Sequence, residues 1–294
     1  MTTAANHHGI VVGVDGSSAS KAAVAWAARD AAWRKVPLTL VHVLPPPATM
    51  TWPEVPLPPG FQQWQEAEGR DIIRDATAIG HDATGPDSIE IDSETVTGPA
   101  VACLADLSKN AQMVVVGRHG RGRLRHLLGA VSSGLTQHAH CPVAVIHDED
   151  PPMPAAAFAP VVVGVDGSPA SESATAIAFD EASRRGVDLV AVHACIDWGG
   201  WGYPEIDWPA VEPRARELLA ERLSGWQSRY PAVTVRSVVV ANLAAERLLE
   251  ESERAQLVVV GSHGRGGFAG MLLGSVSSAV VQSARTPVIV AREP

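Results

Sequence analysis

Glycine-rich segments of a type that binds phosphate occur twice in the chain. The second copy has Gly261, then Gly264 after two residues, then Gly274 after nine residues, followed at once by Ser275. Glycines allow a positive φ angle and a close approach of the backbone, so main-chain N–H groups can surround an anion. A Gly-Ser pair that opens a helix adds a hydroxyl donor at the positive end of the helix dipole. We favour phosphate binding over the alternative that these glycines only make tight turns.

The first copy of this segment departs from the second. Eight residues, not nine, separate Gly120 from Gly129, and Ala130 stands where the second copy has serine. The missing hydroxyl group removes one neutral hydrogen bond, worth about 1 kcal/mol. Cationic and hydroxyl side chains remain in this copy, at Arg121, Arg123, Arg125, Ser132 and Ser133. We expect both copies to bind phosphate, with the two sites not equivalent.

Other phosphate-binding motifs are excluded by direct inspection. The chain contains no G-x-x-x-x-G-K-[ST] segment, so it is not a P-loop NTPase. A Rossmann G-x-G-x-x-G segment belongs after the first strand, where this chain has GVDG at 13–16. The loosely similar GRGGFA at 264–269 follows the wrong strand. We therefore do not expect a dinucleotide-dependent enzyme.

Two aspartates stand at equivalent places beside these glycines. Asp15 and Asp166 each end the first apolar run of their copy, and ligands of open α/β sheets lie at that end of the strands. A carboxylate there suits a ribose hydroxyl or a magnesium ion that bridges phosphates. The alternative is that each aspartate caps the following helix, and the sequence leaves both open.

The elements that must position these residues form a tandem repeat. IVVGVDGS at 10–17 recurs as VVVGVDGS at 161–168, and VVVGRHGRG at 114–122 recurs as VVVGSHGRG at 258–266. Such matching blocks in the same order indicate two copies of one domain. We place the domains at 1–150 and 160–294, joined by a proline-rich and acidic linker at 151–159.

Each copy alternates strands with helices. The apolar runs lack a clean alternation, which is typical of strands buried on both faces of a parallel sheet. A helix is predicted over 17–35, with Val24, Ala27, Ala28 and Ala31 on one apolar stripe. In the second copy Ser168 and Pro169 form a helix start. Strands of the first copy are predicted at 9–14, 38–43, 89–96, 112–116 and 142–146.

A long connection follows the second strand of each copy. The connection at 45–60 is too proline-rich for a helix interior, and its counterpart at 197–209 is rich in tryptophan. Because tryptophan is costly to leave in water, we expect a lid or an interface rather than a disordered insertion.

Composition and the remaining residues exclude several functions. The 23 Lys and Arg against 32 Asp and Glu give a net charge of −9, which disfavours nucleic acid and anionic membranes as partners. The apolar runs are far shorter than the ~20 residues needed to span a bilayer, so we expect a cytoplasmic protein. No cluster of metal ligands is evident, and His42 and His193 are read as packed or hydrogen-bonded histidines rather than catalytic ones.

These motifs resemble the universal stress protein family, specifically its tandem-domain ATP-binding type as found in actinobacteria. The resemblance covers almost the whole chain and rests on VGVDGS, on VHV at 41–43, and on G-x2-G-x9-G-S. It implies two Rossmann-like (adenine nucleotide alpha hydrolase-like) α/β domains. Each is a five-stranded parallel sheet of order 3-2-1-4-5 with helices on both faces.

The resemblance also implies roles for individual residues. The ribose and phosphate side is lined by Gly13, Val14, Asp15, Gly164, Val165 and Asp166, and the main chain at Val43 and Ala194 meets adenine. The first phosphate loop contributes Gly117, Gly120, Arg121, Gly122, Arg123, Gly129, Val131, Ser132 and Ser133. The second contributes Gly261, Gly264, Arg265, Gly266, Gly267, Gly274, Ser275, Val276, Ser277 and Ser278.

The function implied is that of an ATP-binding regulatory protein in stress, with links to low oxygen and dormancy. The resemblance implies ATP as the ligand, Mg²⁺ held through its phosphates with Asp15 and Asp166, and a regulatory protein partner. It also implies that the fifth strands, at 142–146 and 286–291, associate edge to edge within one chain, and that two such chains form a homodimer with four sites. Catalysis would be limited to weak ATP hydrolysis. The alternatives are a nucleotide-free interaction scaffold, a slow ATP-hydrolysing enzyme, or an ATP pyrophosphatase or nucleotidyl transferase, whose S-G-G-x-D-S and H-x-G-H signatures are missing.

Overall fold

The chain divides into two compact units, Met1–Asp148 and Glu149–Pro294. The computed structural model describes residues 8–46, 57–85, 88–120, 128–147, 158–195, 207–265 and 273–293. The predicted linker at 151–159 lies almost wholly outside the described residues, so its extent stays a prediction.

Both units alternate strands and helices in the same order. The first consists of β1 (Ile10–Gly13), α1 (Ser18–Arg34), β2 (Leu38–Leu44), α2 (Phe61–Thr84), β3 (Ile91–Thr97), α3 (Ala100–Leu107), β4 (Met113–Gly117), α4 (Ala130–His138) and β5 (Val143–Ile146). The second consists of β6 (Val161–Gly164), α5 (Pro169–Arg185), β7 (Leu189–Ala194), α6 (Trp208–Arg229), β8 (Val235–Val240), α7 (Ala244–Ser252), β9 (Leu257–Gly261), α8 (Ser275–Ser283) and β10 (Val288–Ala291).

The strands of each unit form a parallel sheet. Within the first unit their order is β3-β2-β1-β4-β5, and within the second it is β8-β7-β6-β9-β10. The predicted order 3-2-1-4-5 is therefore confirmed in both copies. Helix α1 packs against α2, and α3 packs against α4. Right-handed crossovers place these two pairs on opposite faces of the sheet.

Helix α1 shows why the sequence forms this architecture. The Ser17 hydroxyl accepts the N–H of Ser20 at 3.2 Å, which satisfies one unpaired donor of the first turn. The predicted apolar stripe from Val24 to Ala31 is fully buried. Because most of its side chains are alanine, the helix backbone lies close to the sheet, and this closeness shapes the site described below.

The connection predicted at 197–209 is shorter than expected. Helix α6 already begins at Trp208 and contains Pro209 in its first turn and Pro213 further along. Proline is tolerated in a first helical turn because the N–H that it lacks has no partner there. The rest of both long connections, at 47–56 and 196–206, falls outside the described residues, and so does the predicted lid or interface.

Candidate functional site

The first strand of each unit carries its aspartate to the carboxyl edge of the sheet. Hydrogen bonds from Val14 N–H to Val41 O (2.9 Å) and from Val165 N–H to Val192 O (2.8 Å) extend the strand by one residue. The next residues, Asp15 and Asp166, accept the backbone N–H of the serine two positions later, at 2.9 and 2.8 Å. That serine is the helix N-cap, so the alternative that the aspartate is the cap is wrong.

The first glycine of each loop is required by packing. A Cβ atom at Gly117 would lie 2.6 Å from the carbonyl carbon of Ala19 in α1, and one at Gly261 would lie 2.8 Å from that of Ala170 in α5. These glycines thus allow the helix backbone to lie against the strand end. The second glycines, Gly120 and Gly264, instead face the aspartates, as described further below.

For the six loop glycines that the structure describes, the expectation of positive φ angles is wrong. Among the described glycines with positive φ are Gly16 and Gly167, which precede the N-cap serines, and no glycine of the two loops is among them. The third glycines have φ of −64° at Gly129 and −67° at Gly274. Close approach of neighbouring atoms, rather than backbone conformation, accounts for the first and second glycines of both loops.

The base of each loop is closed by a matching main-chain hydrogen bond and by a serine hydroxyl group whose acceptor differs between the two copies. The N–H of Gly129 donates to Arg118 O (2.8 Å), and that of Gly274 donates to Ser262 O (2.7 Å). The buried hydroxyl groups of Ser132 and Ser277 donate to the carbonyls of Arg118 and Gly261, at 2.8 and 2.5 Å. The loop interiors are outside the described residues, and with them the candidates Arg121, Gly122, Arg123, Gly266 and Gly267.

A helix N-terminus opens directly after each loop. The N-cap glycines of α4 and α8 provide no side-chain cap. The N–H groups of a first helical turn have no partner within the helix, and they attract anions together with the dipole. Ala130 and Ser275, at the first helical position, are exposed. Val131, Val276, Ser133 and Ser278 are half-buried in the same turns.

These elements enclose a crevice in the first unit with a volume of about 490 Å³. Its walls are the ends of β1, β2 and β4, the starts of α1 and α4, and one side of α3. Nine candidates line it: Gly13, Val14, Asp15, Val43, Gly117, Gly120, Gly129, Val131 and Ser132. Ser133 is not among the lining residues.

Sequence reasoning missed one wall of this crevice. Ala100 and Leu104 of α3 line it, and a Cβ atom at Gly13 would lie 3.0 Å from a methyl carbon of Leu104. The Gly98–Pro99 pair could have indicated the start of α3 from the sequence, since such a pair marks a turn that can precede a helix. Both of these side chains are apolar.

In the second unit, one arginine links three of the candidate segments. The backbone N–H of Arg265 donates to Asp166 Oδ2 at 3.1 Å, and its guanidinium donates to Ala194 O at 3.4 Å. The Ser168 hydroxyl donates to His263 O at 3.1 Å. The loop after β9 is thereby tied to the ends of β6 and β7.

The two strand-end histidines are hydrogen-bonded, in agreement with the sequence interpretation. His42 Nδ1 lies 2.7 Å from Val14 O, and His193 Nδ1 lies 2.6 Å from Val165 O, so each ring donates from Nδ1. Burial lowers the pKa of His193 below its ordinary value of 6.5, against the opposing effect of the Val165 carbonyl. The nearby charges of Arg222 and Arg265 lower this pKa further.

The fold and the site define an α/β protein with tandem copies of one parallel sheet, each with a glycine-rich loop at its carboxyl edge. The model of the Universal stress protein family matches residues 7–147 and 157–292. The chain therefore belongs to the universal stress protein family, with two family domains in tandem.

Individual relatives agree with this assignment. A universal stress protein of Mycobacterium tuberculosis is 57% identical over 297 residues, which cover 100% of this chain and 99% of the relative. Another from the same species is 54% identical over 295 residues, which cover both chains fully. The crystal structure of a universal stress protein from Archaeoglobus fulgidus has a TM-score of 0.72 at 18% identity, covers 99% of this chain and 100% of its own, and shares the fold. Among the helices in the described part of the chain, none is long and apolar enough to cross a membrane.

Proposed function

We propose that each unit binds one molecule of ATP, and that the chain is a cytoplasmic stress-response regulator with two nucleotide sites. One observation carries the proposal: nine of the residues to which the sequence assigns nucleotide contacts line a single crevice of about 490 Å³ in the first unit. That volume is in the range of small-molecule sites. The apolar wall around Leu104 suits adenine, and the start of α4 suits phosphates.

The role that we propose for the sites is binding, with at most weak hydrolysis of ATP. Asp15 Oδ1 accepts two hydrogen bonds from Ser17, and His42 donates its Nδ1 proton to Val14 O, so both side chains are held in place by the protein itself. In the proposal, Mg²⁺ is held through the phosphates beside Asp15 and Asp166, and occupancy changes how the protein engages a regulatory partner.

Bulky residues at the helix starts test the two sites separately. Ala130→Trp and Ser275→Trp each place an indole at an exposed first helical position beside one loop. Ala210→Trp is the matched control, since Ala210 is an exposed residue in the first turn of α6. Equilibrium dialysis with ATP should give two nucleotides per chain for the wild type and for the control, and one for each of the other variants. Wild-type protein that binds no ATP at millimolar concentration would instead support the nucleotide-free scaffold.

A further inference from the structure

We propose that Asp166 is a positioning residue whose carboxylate holds the glycine-rich loop after β9. We also propose that the second glycine of each loop, Gly120 or Gly264, is required by the aspartate carboxylate beside it. A Cβ atom at Gly120 would lie 2.6 Å from Asp15 Oδ2, and one at Gly264 would lie 2.6 Å from Asp166 Oδ2. Real Cβ atoms essentially never show such a contact, so a Cβ atom at either position would force the carboxylate or the loop to shift. The same contact recurs in both units although their loops differ in length.

Backbone conformation does not explain these glycines. Neither Gly120 nor Gly264 has a positive φ angle, so alanine could adopt the same backbone. The methyl group of an alanine at either position would instead lie too close to the aspartate carboxylate. The second glycine is therefore required by a contact within the protein, whether or not a ligand is bound.

The carboxylate of Asp166 is fixed from two sides. Its Oδ1 accepts the N–H of Ser168 at 2.8 Å, and its Oδ2 accepts the N–H of Arg265 at 3.1 Å. A methyl group at position 264 would push Oδ2 away and break the bond to Arg265. In the first unit Asp15 Oδ1 is held by the N–H and the hydroxyl of Ser17, at 2.9 and 2.6 Å.

This contact joins two segments that are far apart in sequence. Asp166 and Arg265 are 99 residues apart, and the bond from Ser168 to His263 O runs beside theirs. The carboxylate thus sets the separation between the end of β6 and the loop after β9. The effect of this separation on nucleotide affinity rests on the function proposed above, whereas the contact itself does not.

A double-mutant cycle on the full-length, nucleotide-free chain tests the contact. Gly264→Ala should lower the unfolding temperature by about 5 °C in the wild-type background. In the Asp166→Ala background the same change should lower it by about 1 °C or less, because the carboxylate is gone. Gly274→Ala is the control, since its Cβ atom would lie 3.4 Å from His263 and Ser262 and not near Asp166. Its effect should be equal in both backgrounds, and an equal effect of Gly264→Ala in both would overturn the proposal.

Two further readouts separate positioning from mere packing. The amide proton of Arg265, donated to a carboxylate, should resonate downfield in nucleotide-free protein and move upfield in Asp166→Ala, with Asp166→Asn between them. An unchanged resonance would overturn the proposal. Asp166→Ala should also weaken ATP binding at the second site about tenfold, and adding Gly264→Ala in that background should leave the affinity weak with little further loss of stability. If wild-type protein binds no ATP, the proposed function fails while the stability coupling and the amide shift still test the contact.

Discussion

At the start of the last helix of each unit, the two copies differ by one hydroxyl group. Ala130 and Ser275 occupy the same exposed first position of α4 and α8, after N-cap glycines of almost equal conformation. Because the two helix starts share this backbone conformation, exchanging these side chains tests the hydroxyl group as a phosphate donor.

We expect the exchange to change the two sites in opposite directions. Ser275→Ala should weaken ATP binding at the second site about fivefold, and Ala130→Ser should strengthen it at the first by a similar factor, corresponding to about 1 kcal/mol. Isothermal titration calorimetry on each variant measures both constants. Unchanged affinities in both variants would show that this hydroxyl does not contact the ligand.

His193 should make stability depend on pH in the slightly acidic range. Its lowered pKa means that the folded protein binds fewer protons than the unfolded chain near pH 6, so the free energy of unfolding rises with pH there. Stability is therefore lost as the pH falls through the ordinary histidine pKa of 6.5. Urea unfolding between pH 5 and pH 7.5 should show a smaller slope with pH for His193→Asn than for the wild type. The control His138→Gln removes an exposed histidine, and an equal reduction of the slope in both variants would contradict this assignment.

At the scale of elements, the first helix of each unit ends in the same left-handed conformation but with a different residue type in the two copies. The residue after α1 is Lys35 with φ 57°, and the equivalent residue after α5 is Gly186 with φ 65°. The left-handed conformation destabilises the folded protein by roughly 1–2 kcal/mol when the residue is lysine, and glycine avoids this cost. Part of the gain from glycine is offset because glycine raises the conformational entropy of the unfolded chain.

The resulting prediction is a pair of opposite changes in stability. Lys35→Gly should raise the free energy of unfolding by about 0.5–1 kcal/mol, and Gly186→Lys should lower it by about as much or more. Denaturant unfolding of both variants measures these values. A loss of stability in Lys35→Gly would indicate that the lysine side chain makes a compensating contact.

The elements themselves were largely predictable from the sequence. Strands predicted at 38–43 and 112–116 are observed at Leu38–Leu44 and Met113–Gly117, because buried β-branched runs between turns leave little alternative. The start of α6 at Trp208 was missed, since its prolines indicated a loop.

Contacts within the site were less predictable than its location. The motif placed Gly120 beside a ligand, but the contact with Asp15 depends on how β1 and the loop after β4 meet in the sheet. Leu104 was overlooked for the same reason, since its side chain reaches Gly13 only across the fold. No local pattern encodes contacts between segments so far apart.

At the scale of the whole molecule, duplication gives one chain two similar units that have diverged at the site. The loop lengths and the first residues of α4 and α8 differ. The proposed homodimer would bring four nucleotide sites together. Light scattering on purified protein should give twice the mass of one chain, and a mass that stays at one chain over a range of concentrations would contradict the dimer.

The central claim is that each unit holds one ATP molecule, and native mass spectrometry tests it most directly. Ligand-free chains titrated with ATP and Mg²⁺ should show two successive mass increments of one nucleotide per chain, the second appearing at higher concentration. Chains that show no increment, or the same increments in Ala130→Trp and Ser275→Trp as in the wild type, would contradict the assignment of one nucleotide site to each unit.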